Sequence, residues 1–332
     1  MSKTQVINIG ILGVASIALR FMLPAIQNLS DLFYFSGFAS EYKGSLKKGY
    51  DVDKFIKYES YEALIDDNAV DAVYVALPNA LHHKYVTKAL KRGKHVIVEK
   101  PAGCSEDEII ELVALAKSLN LVLLENFQFK FHSQLKLILN YLNQGLIGEL
   151  RSVRVSFGFP PFSDQNNIRY DPCLGGGAFL DCGVYALMIA PFFLGNDIKV
   201  VQASISFDEA RGVDIWGGGT LKQRAGNLFC HFSFGFDNFY QCSLELWGSR
   251  GRILASRIFT APPDLSPEIV LHKSSGTEVI NAMNDNHFVN ILVYFHELIY
   301  GQSNISVEYE NLIRQGTLMG QFLHLINDKK LN

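Results

Sequence analysis

An excess of basic charge is missing from this chain: 30 lysines and arginines face 33 aspartates and glutamates, a formal net charge of −3 over 332 residues. Without a basic stripe or domain there is no electrostatic footprint for nucleic acid, and no such partner is expected. Cysteine is scarce. The five present (Cys104, Cys173, Cys182, Cys230, Cys242) are odd in number and lack Cys-x-x-Cys spacing, which argues against a disulfide framework and a zinc ribbon and leaves buried free thiols. No pair among His83, His95, His132 and His287 has metal-ligand spacing, so no metal is expected and these read as structural or rim residues. No apolar stretch reaches the ~20 uninterrupted residues of a membrane span, and "MSKTQVINIGILGV" offers no small-residue cleavage site, which reads as a cytoplasmic protein without a membrane partner. What remains, 48% hydrophobic and 19% charged, is an ordinary globular composition in a chain long enough for two domains.

Two textures divide the chain. Up to about residue 125, short apolar runs ("VINIGIL", "LFYFSGFA", "AVYVAL", "HVIVEK", "LVLLEN") alternate with helical patterns, the signature of βαβ units and a parallel sheet. From about residue 150, longer alternating strands ("RSVRVSFGF", "KVVQASISF", "NLFCHFSFGF", "FYQCSLELWG") follow one another through Gly and Asn turns, which predicts a large, mostly antiparallel open sheet with one covered face. One helix interrupts them, "FLDCGVYALMIAPFFLG", starting near Asp181. The expected domains are therefore 1–125 and 126–332, with the C-terminal helices packing back on the first. The wide sheet face of residues 151–250 would be costly to expose, so a homodimer or homotetramer through that sheet is expected.

The turn after the first strand reads Gly13-Val14-Ala15-Ser16-Ile17-Ala18. It is a G-x-G-x-x-G/A dinucleotide fingerprint with its middle glycine replaced, placed as in an α/β, doubly wound Rossmann domain. A helix N-terminus at Ser16 and Ile17 can still meet a phosphate if the turn is slightly wider, so Ala15 shifts the site without abolishing it. The end of the second strand holds Ser40 where an acidic residue would grip a ribose 2′-hydroxyl. A serine accepts a 2′-phosphate, Lys43 can neutralise it, and Glu41 opposes it, so NADP(H) is favoured with NAD(H) possible.

The segment "VYVALPNALHHKYVTKALKRGKHVIVEKPAG", with Pro78, Asn79 and His82 and then Glu99-Lys100-Pro101, resembles the glucose-fructose oxidoreductase / inositol dehydrogenase / rhizopine-catabolism family of NAD(P)-dependent sugar oxidoreductases. The likeness continues through Glu125-Asn126-Phe127, through "KFHSQ", where Lys130 stands for an arginine common in the family, and through "NIRYDPCLGGGAFLDCGVY" and "LWGSRGRILASRIFTAPPD". The finer texture, including Tyr185 where many relatives have His, resembles deoxysugar 3-ketoreductases of nucleotide-sugar pathways. The resemblance implies cofactor contacts at Leu77, Pro78, Asn79, His82, Glu99, Lys100 and Asn126, and substrate contacts at Lys100, Lys130, Arg169, Asp181 and Tyr185.

Reducing a ketone needs a hydride, which the cofactor supplies, and a proton, which the protein must offer. Lys100 ends an apolar strand at the crevice edge of a parallel sheet. Asp181 and Tyr185, four apart on a helix, share a face, and Gly175, Gly176 and Gly177 before them let backbone approach a ligand. Tyrosine alone, with a reference pKa of ~10, is a poor acid at neutral pH, but a nearby lysine cation lowers it. Tyr185 is therefore assigned as proton donor, Lys100 as the group that tunes it and polarises the carbonyl, and Asp181 as the positioner of substrate and Lys100. Which of Lys100 and Tyr185 delivers the proton stays open. The alternatives are a dehydrogenase of free sugars or trans-dihydrodiols and a cofactor-sensing regulator on the same fold, against which the retention of all three residues speaks.

Overall fold

In a computed structural model, which describes residues 5–41 and 55–330, the apolar runs of the first third pair side by side as parallel strands. They are β1 (Ile7–Leu12), β2 (Phe33–Ala39), β3 (Lys57–Tyr58), β4 (Ala72–Val75), β5 (His95–Val98) and β6 (Leu123–Glu125), in the order β3-β2-β1-β4-β5-β6. The order reverses at β1, which leaves the crevice outside the carboxyl ends of β1 and β4 that open α/β sheets use for ligands. Every residue of β4 is buried, as a strand covered on both faces requires. The crossover helices α1 (Leu23–Asn28), α2 (Tyr61–Asp66), α3 (Asn79–Lys91) and α4 (Glu106–Leu119) carry their own stop and start signals. The Ser60 and Ser105 hydroxyls accept the N–H groups of Ala63 (3.0 Å) and Glu108 (3.2 Å). Three acidic residues fill the first turn of α4, and Asn120 closes it in the left-handed region at φ 53°.

The second sheet holds eight strands: β7 (Leu150–Gly158), β8 (Ile198–Asp208), β9 (Val213–Gln223), β10 (Phe229–Gly235), β11 (Gln241–Gly248), β12 (Gly251–Ala255), β13 (Glu268–Lys273) and β14 (Gly276–Asn281). Their order is β14-β13-β12-β11-β7-β10-β9-β8. All neighbours are antiparallel except β7 and β10. The covered face takes Val153, Val155 and Phe157 from β7 and Cys230, Phe232 and Phe234 from β10, while Arg154, His231 and Trp247 point the other way. The helical run 178–194 lies on the covered face, where Phe179 meets Phe234 and stacks on Phe322 with centroids 4.2 Å apart. By length and composition Pro172–Leu194 could span a bilayer, against the expectation that no such stretch exists. It is 83% buried within the protein, which marks it as a core helix.

Contacts divide the chain into two units, residues 1–126 with 288–313, and 127–287 with 314–332. Helix α8 (His287–Ile299) and the start of α9 (Ile305–Lys330) thus count with the first unit, where Phe288 stacks on Phe21 at 4.7 Å and the Tyr309 hydroxyl donates to the Leu121 carbonyl. The remainder of α9 counts with the second, where Gln315 donates to the Val184 carbonyl at 2.8 Å. Of the five thiols, Cys182, Cys230 and Cys242 are buried as expected, but Cys173 is exposed and Cys104 intermediate; no two are bridged.

Candidate active site

In the first unit the turn after β1 is fixed by backbone: the Gly13 N–H donates to the Ala39 carbonyl and the Ala76 N–H to the Leu12 carbonyl, both at 2.8 Å. Gly13 has φ +93°, and a Cβ there would lie 2.3 Å from the Ala76 carbonyl oxygen, so this glycine is obligatory on two counts. Ala15 is different. It is not in the left-handed region, and its carbonyl accepts the Leu19 N–H at 3.1 Å, so it serves as the N-cap of the helix, where a methyl group adds no backbone strain. The helix opens at Ser16 and Ile17 and passes through a π turn, Ala18–Met22, before α1. Ser40 directly follows β2. Glu41 is exposed with its N–H on the Tyr61 hydroxyl, and Lys43 lies outside the described residues.

Lys100 stands two residues past the end of β5, beside Glu99 and ahead of a cis peptide to Pro101. The Glu99 carboxylate accepts hydrogen bonds from the Tyr74 hydroxyl and the Asn126 amide, both at 2.5 Å. Burial pushes the Glu99 carboxyl above the usual carboxylate range, and those two donors with the Lys100 charge pull it back. One residue beyond Pro101, the Ala102 N–H donates to Glu125 at 2.8 Å, which anchors the loop from the other side. Asn79 opens α3, with Leu77 and Pro78 just before it. His82 is fully buried, its ring nitrogens lie 2.7 Å and 2.8 Å from the carbonyl oxygens of Pro101 and Leu77, and burial depresses its pKa. A neutral ring so placed braces the Leu77 and Pro101 loops.

The second unit holds the remaining residues. Asp181 falls in a π turn, Phe179–Gly183, which continues into α6 (Val184–Ile189) with Tyr185 in its first turn. Wide turns of this kind occur at functional sites. Tyr185 is 6% exposed inside a cage of Phe127, Phe129, Phe157 and Phe259, with ring centroids 5.0–5.9 Å away. Asp181 accepts a 2.6 Å hydrogen bond from Nε of Arg169, a side chain that also lies over the Phe162 ring at 5.1 Å. The Asp181 carboxylate pushes the Arg169 guanidinium pKa still higher. Arg169, expected only as a substrate contact, is therefore first a partner of Asp181. Lys130 is half-buried over the Phe131 ring.

The glycines before the helix also have another use than ligand approach. At Gly177, φ +112°, a Cβ would lie 2.3 Å from Oδ1 of Asp214, so the space is filled by this chain's own carboxylate. Oδ2 of Asp214 accepts the Phe179 N–H at 2.7 Å. Asp214 was missed by the sequence reading. Its one signal is an acidic residue inside the apolar strand start "GVDIW".

The candidate cofactor and substrate residues thus sit on two structural frames, and both frames have counterparts among known proteins. Residues 7–127 match the oxidoreductase family with NAD-binding Rossmann fold, GFO/IDH/MocA, and residues 136–254 match the GFO/IDH/MocA C-terminal domain. The chain is 34% identical over 313 residues, 94% of its own length and 93% of the relative's, to dTDP-3,4-didehydro-2,6-dideoxy-α-D-glucose 3-reductase of Actinomadura kijaniata. It is 38% identical over 258 residues, 78% and 77% of the two chains, to the protein of the same name from Saccharopolyspora spinosa. Among solved structures it resembles a 3-ketoreductase from Actinomadura kijaniata in complex with NADP and TDP-benzene, with TM-score 0.90, 32% identity and 98% of each chain covered.

Proposed function

The chain belongs to the GFO/IDH/MocA family of oxidoreductases, and from that premise we propose that it is an NADP-dependent ketoreductase acting on a dTDP-linked keto-deoxysugar. The observation that carries the reading is the near full-length likeness to the Actinomadura kijaniata 3-ketoreductase. Ser40 after β2, in place of an acidic residue, supports the phosphorylated cofactor. The Gly13 turn, tight enough to exclude a Cβ, and the helix that opens at Ser16 fit a pyrophosphate. When bound, NADPH supplies the hydride.

The chain's own residues supply the rest. Lys100, held on a loop braced by His82 and Glu125, brings a positive charge to the developing alkoxide. Tyr185 donates the proton to that oxygen from an aromatic cage that limits competing water. Asp181, paired with Arg169, accepts hydrogen bonds from sugar hydroxyls. Lys130 and the outward face of Arg169 serve the same substrate. The open face of the second sheet carries Trp216 and Trp247, 50% and 59% exposed, and we infer that it pairs copies of the chain as a homodimer or homotetramer. A monomer in sedimentation at micromolar concentration would exclude that assembly.

The assay follows NADPH consumption with a dTDP-linked 3-keto-2,6-dideoxysugar, beside NADP⁺ reduction with D-xylose and with a trans-dihydrodiol. Turnover of the nucleotide sugar is expected. Turnover of only a free sugar or the dihydrodiol would move the protein to that branch, and NADPH binding without turnover of any of them would favour a cofactor sensor.

A further inference from the structure

The helical run that carries Asp181 and Tyr185 starts without a capping side chain of its own: the residue at its N-cap is Ala178. Its first backbone donors are met from a distant strand. Asp214, the second residue of β9, accepts the Phe179 N–H at 2.7 Å on Oδ2 and also accepts from the Ala178 N–H. Its other oxygen occupies the space that a Gly177 side chain would need. Strict alternation from Trp216 would put Asp214 on the open face of the sheet. The pairing of β9 with β8 slips there, Ser206 facing Trp216 and Phe207 facing Asp214, so that one extra residue, Ile215, turns the carboxylate toward the helix.

We propose that Asp214 is a positioning residue for ketone reduction: its carboxylate, delivered by the bulge in β9, fixes the first turn of the helix and through it the orientation of Asp181 and Tyr185. The inference rests on the reading of Tyr185 as proton donor. A charged acceptor on the first N–H groups of a helix is both a hydrogen-bond partner and a counter-charge to the helix dipole. Burial pushes the Asp214 carboxyl up to about 6, with the backbone N–H groups of Phe179, Ala178 and Asp214 itself pulling it back. A folded-state value above the unfolded one means that the proton binds the folded protein more tightly. Ionisation above about pH 6 therefore weakens the fold, and the penalty fades as pH falls toward the unfolded carboxylate value. Ionisable groups on the elements around it are Asp181, Cys182 and Tyr185 on the helix, Arg169, Tyr170, Asp171 and Cys173 on the preceding loop, Asp208, Glu209 and Arg211 at the β8–β9 hairpin, and Cys230 and His231 on β10. The shift itself comes from burial and the backbone donors.

The test is Asp214→Asn, with Asp214→Ala as the larger lesion. Asp214→Asn should have a Tm at pH 8 equal to or above that of the wild type, yet a turnover number at least tenfold lower with NADPH affinity within threefold. The deficit should close toward pH 5, where the wild-type carboxyl is itself protonated. Hydrogen exchange of the amides of residues 177–185 gives a reading that does not depend on any substrate: at pH 8 these amides should be less protected in Asp214→Ala than in the wild type, with the amides of the first unit unchanged. A Tm that falls together with turnover, a turnover ratio that is the same at every pH, or exchange in 177–185 that ignores Asp214 would overturn the proposal. Absence of wild-type activity on the nucleotide sugar would count against the proposed substrate, and the exchange experiment would still decide the role of Asp214.

Discussion

The two units hold their functional residues by opposite means. In the first, each proposed residue sits just past the carboxyl end of a parallel strand, and its position follows from the strand that ends before it: Gly13 after β1, Ser40 after β2, Asn79 after β4, Lys100 after β5. In the second, Asp181 and Tyr185 ride on one helix whose orientation depends on partners far along the chain, Arg169 before it, Asp214 on β9 and the ring of Phe259 beyond β12. The first arrangement is a consequence of topology, since every βα crossover leaves a strand end facing the crevice. The second must be assembled by packing, so single changes far from the chemistry should disturb it.

The sharpest way to break the second arrangement is at its chemical end. Tyr185→Phe keeps a ring in the cage and removes only the hydroxyl, so turnover should fall by ~10²–10⁴-fold while NADPH affinity stays within threefold. Near-normal turnover would make the tyrosine a packing residue. Arg169→Met comes next. It removes the Nε donor that lies 2.6 Å from Asp181, and should reduce kcat/KM by about tenfold to a hundredfold. Unchanged kcat/KM in steady-state assays would show that the ion pair only braces the loop.

The first arrangement should resist changes outside its obligatory position. Gly13→Ala puts a Cβ at φ +93° and against the Ala76 carbonyl, and should weaken NADPH binding at least tenfold, about 1.4 kcal/mol. Ala15→Gly should change it by less than that, because Ala15 already has ordinary backbone geometry. Fluorescence titration of both variants checks the contrast, and a large gain on restoring glycine would show that the turn is compromised. The smallest effect is on selectivity: Ser40→Asp should move preference from NADPH toward NADH through like-charge repulsion with the 2′-phosphate, with little change in turnover.

The same contrast explains what could be read in advance. The parallel sheet, the Gly13 turn and the Glu99-Lys100-Pro101 strand end were legible because local sequence makes them. The mostly antiparallel sheet was legible from alternation, as in β7 and β10. The bracing of two loops by His82 was not legible, because its carbonyl partners on Leu77 and Pro101 meet it only in the folded chain. The Arg169–Asp181 pair spans 12 residues and could have been suspected. Asp214 could not, because only the slipped register of β9 turns it toward the helix.

The central claim is that Lys100 and Tyr185, on these two differently built frames, act as one unit on one ketone. The most direct measurement is the turnover number of Lys100→Met, Tyr185→Phe and the double variant, each with NADPH at saturation. Groups that act together are non-additive, so the double variant should be little worse than the poorer single one. A double variant slower by the product of the two single losses would mean independent contributions, and would contradict the account.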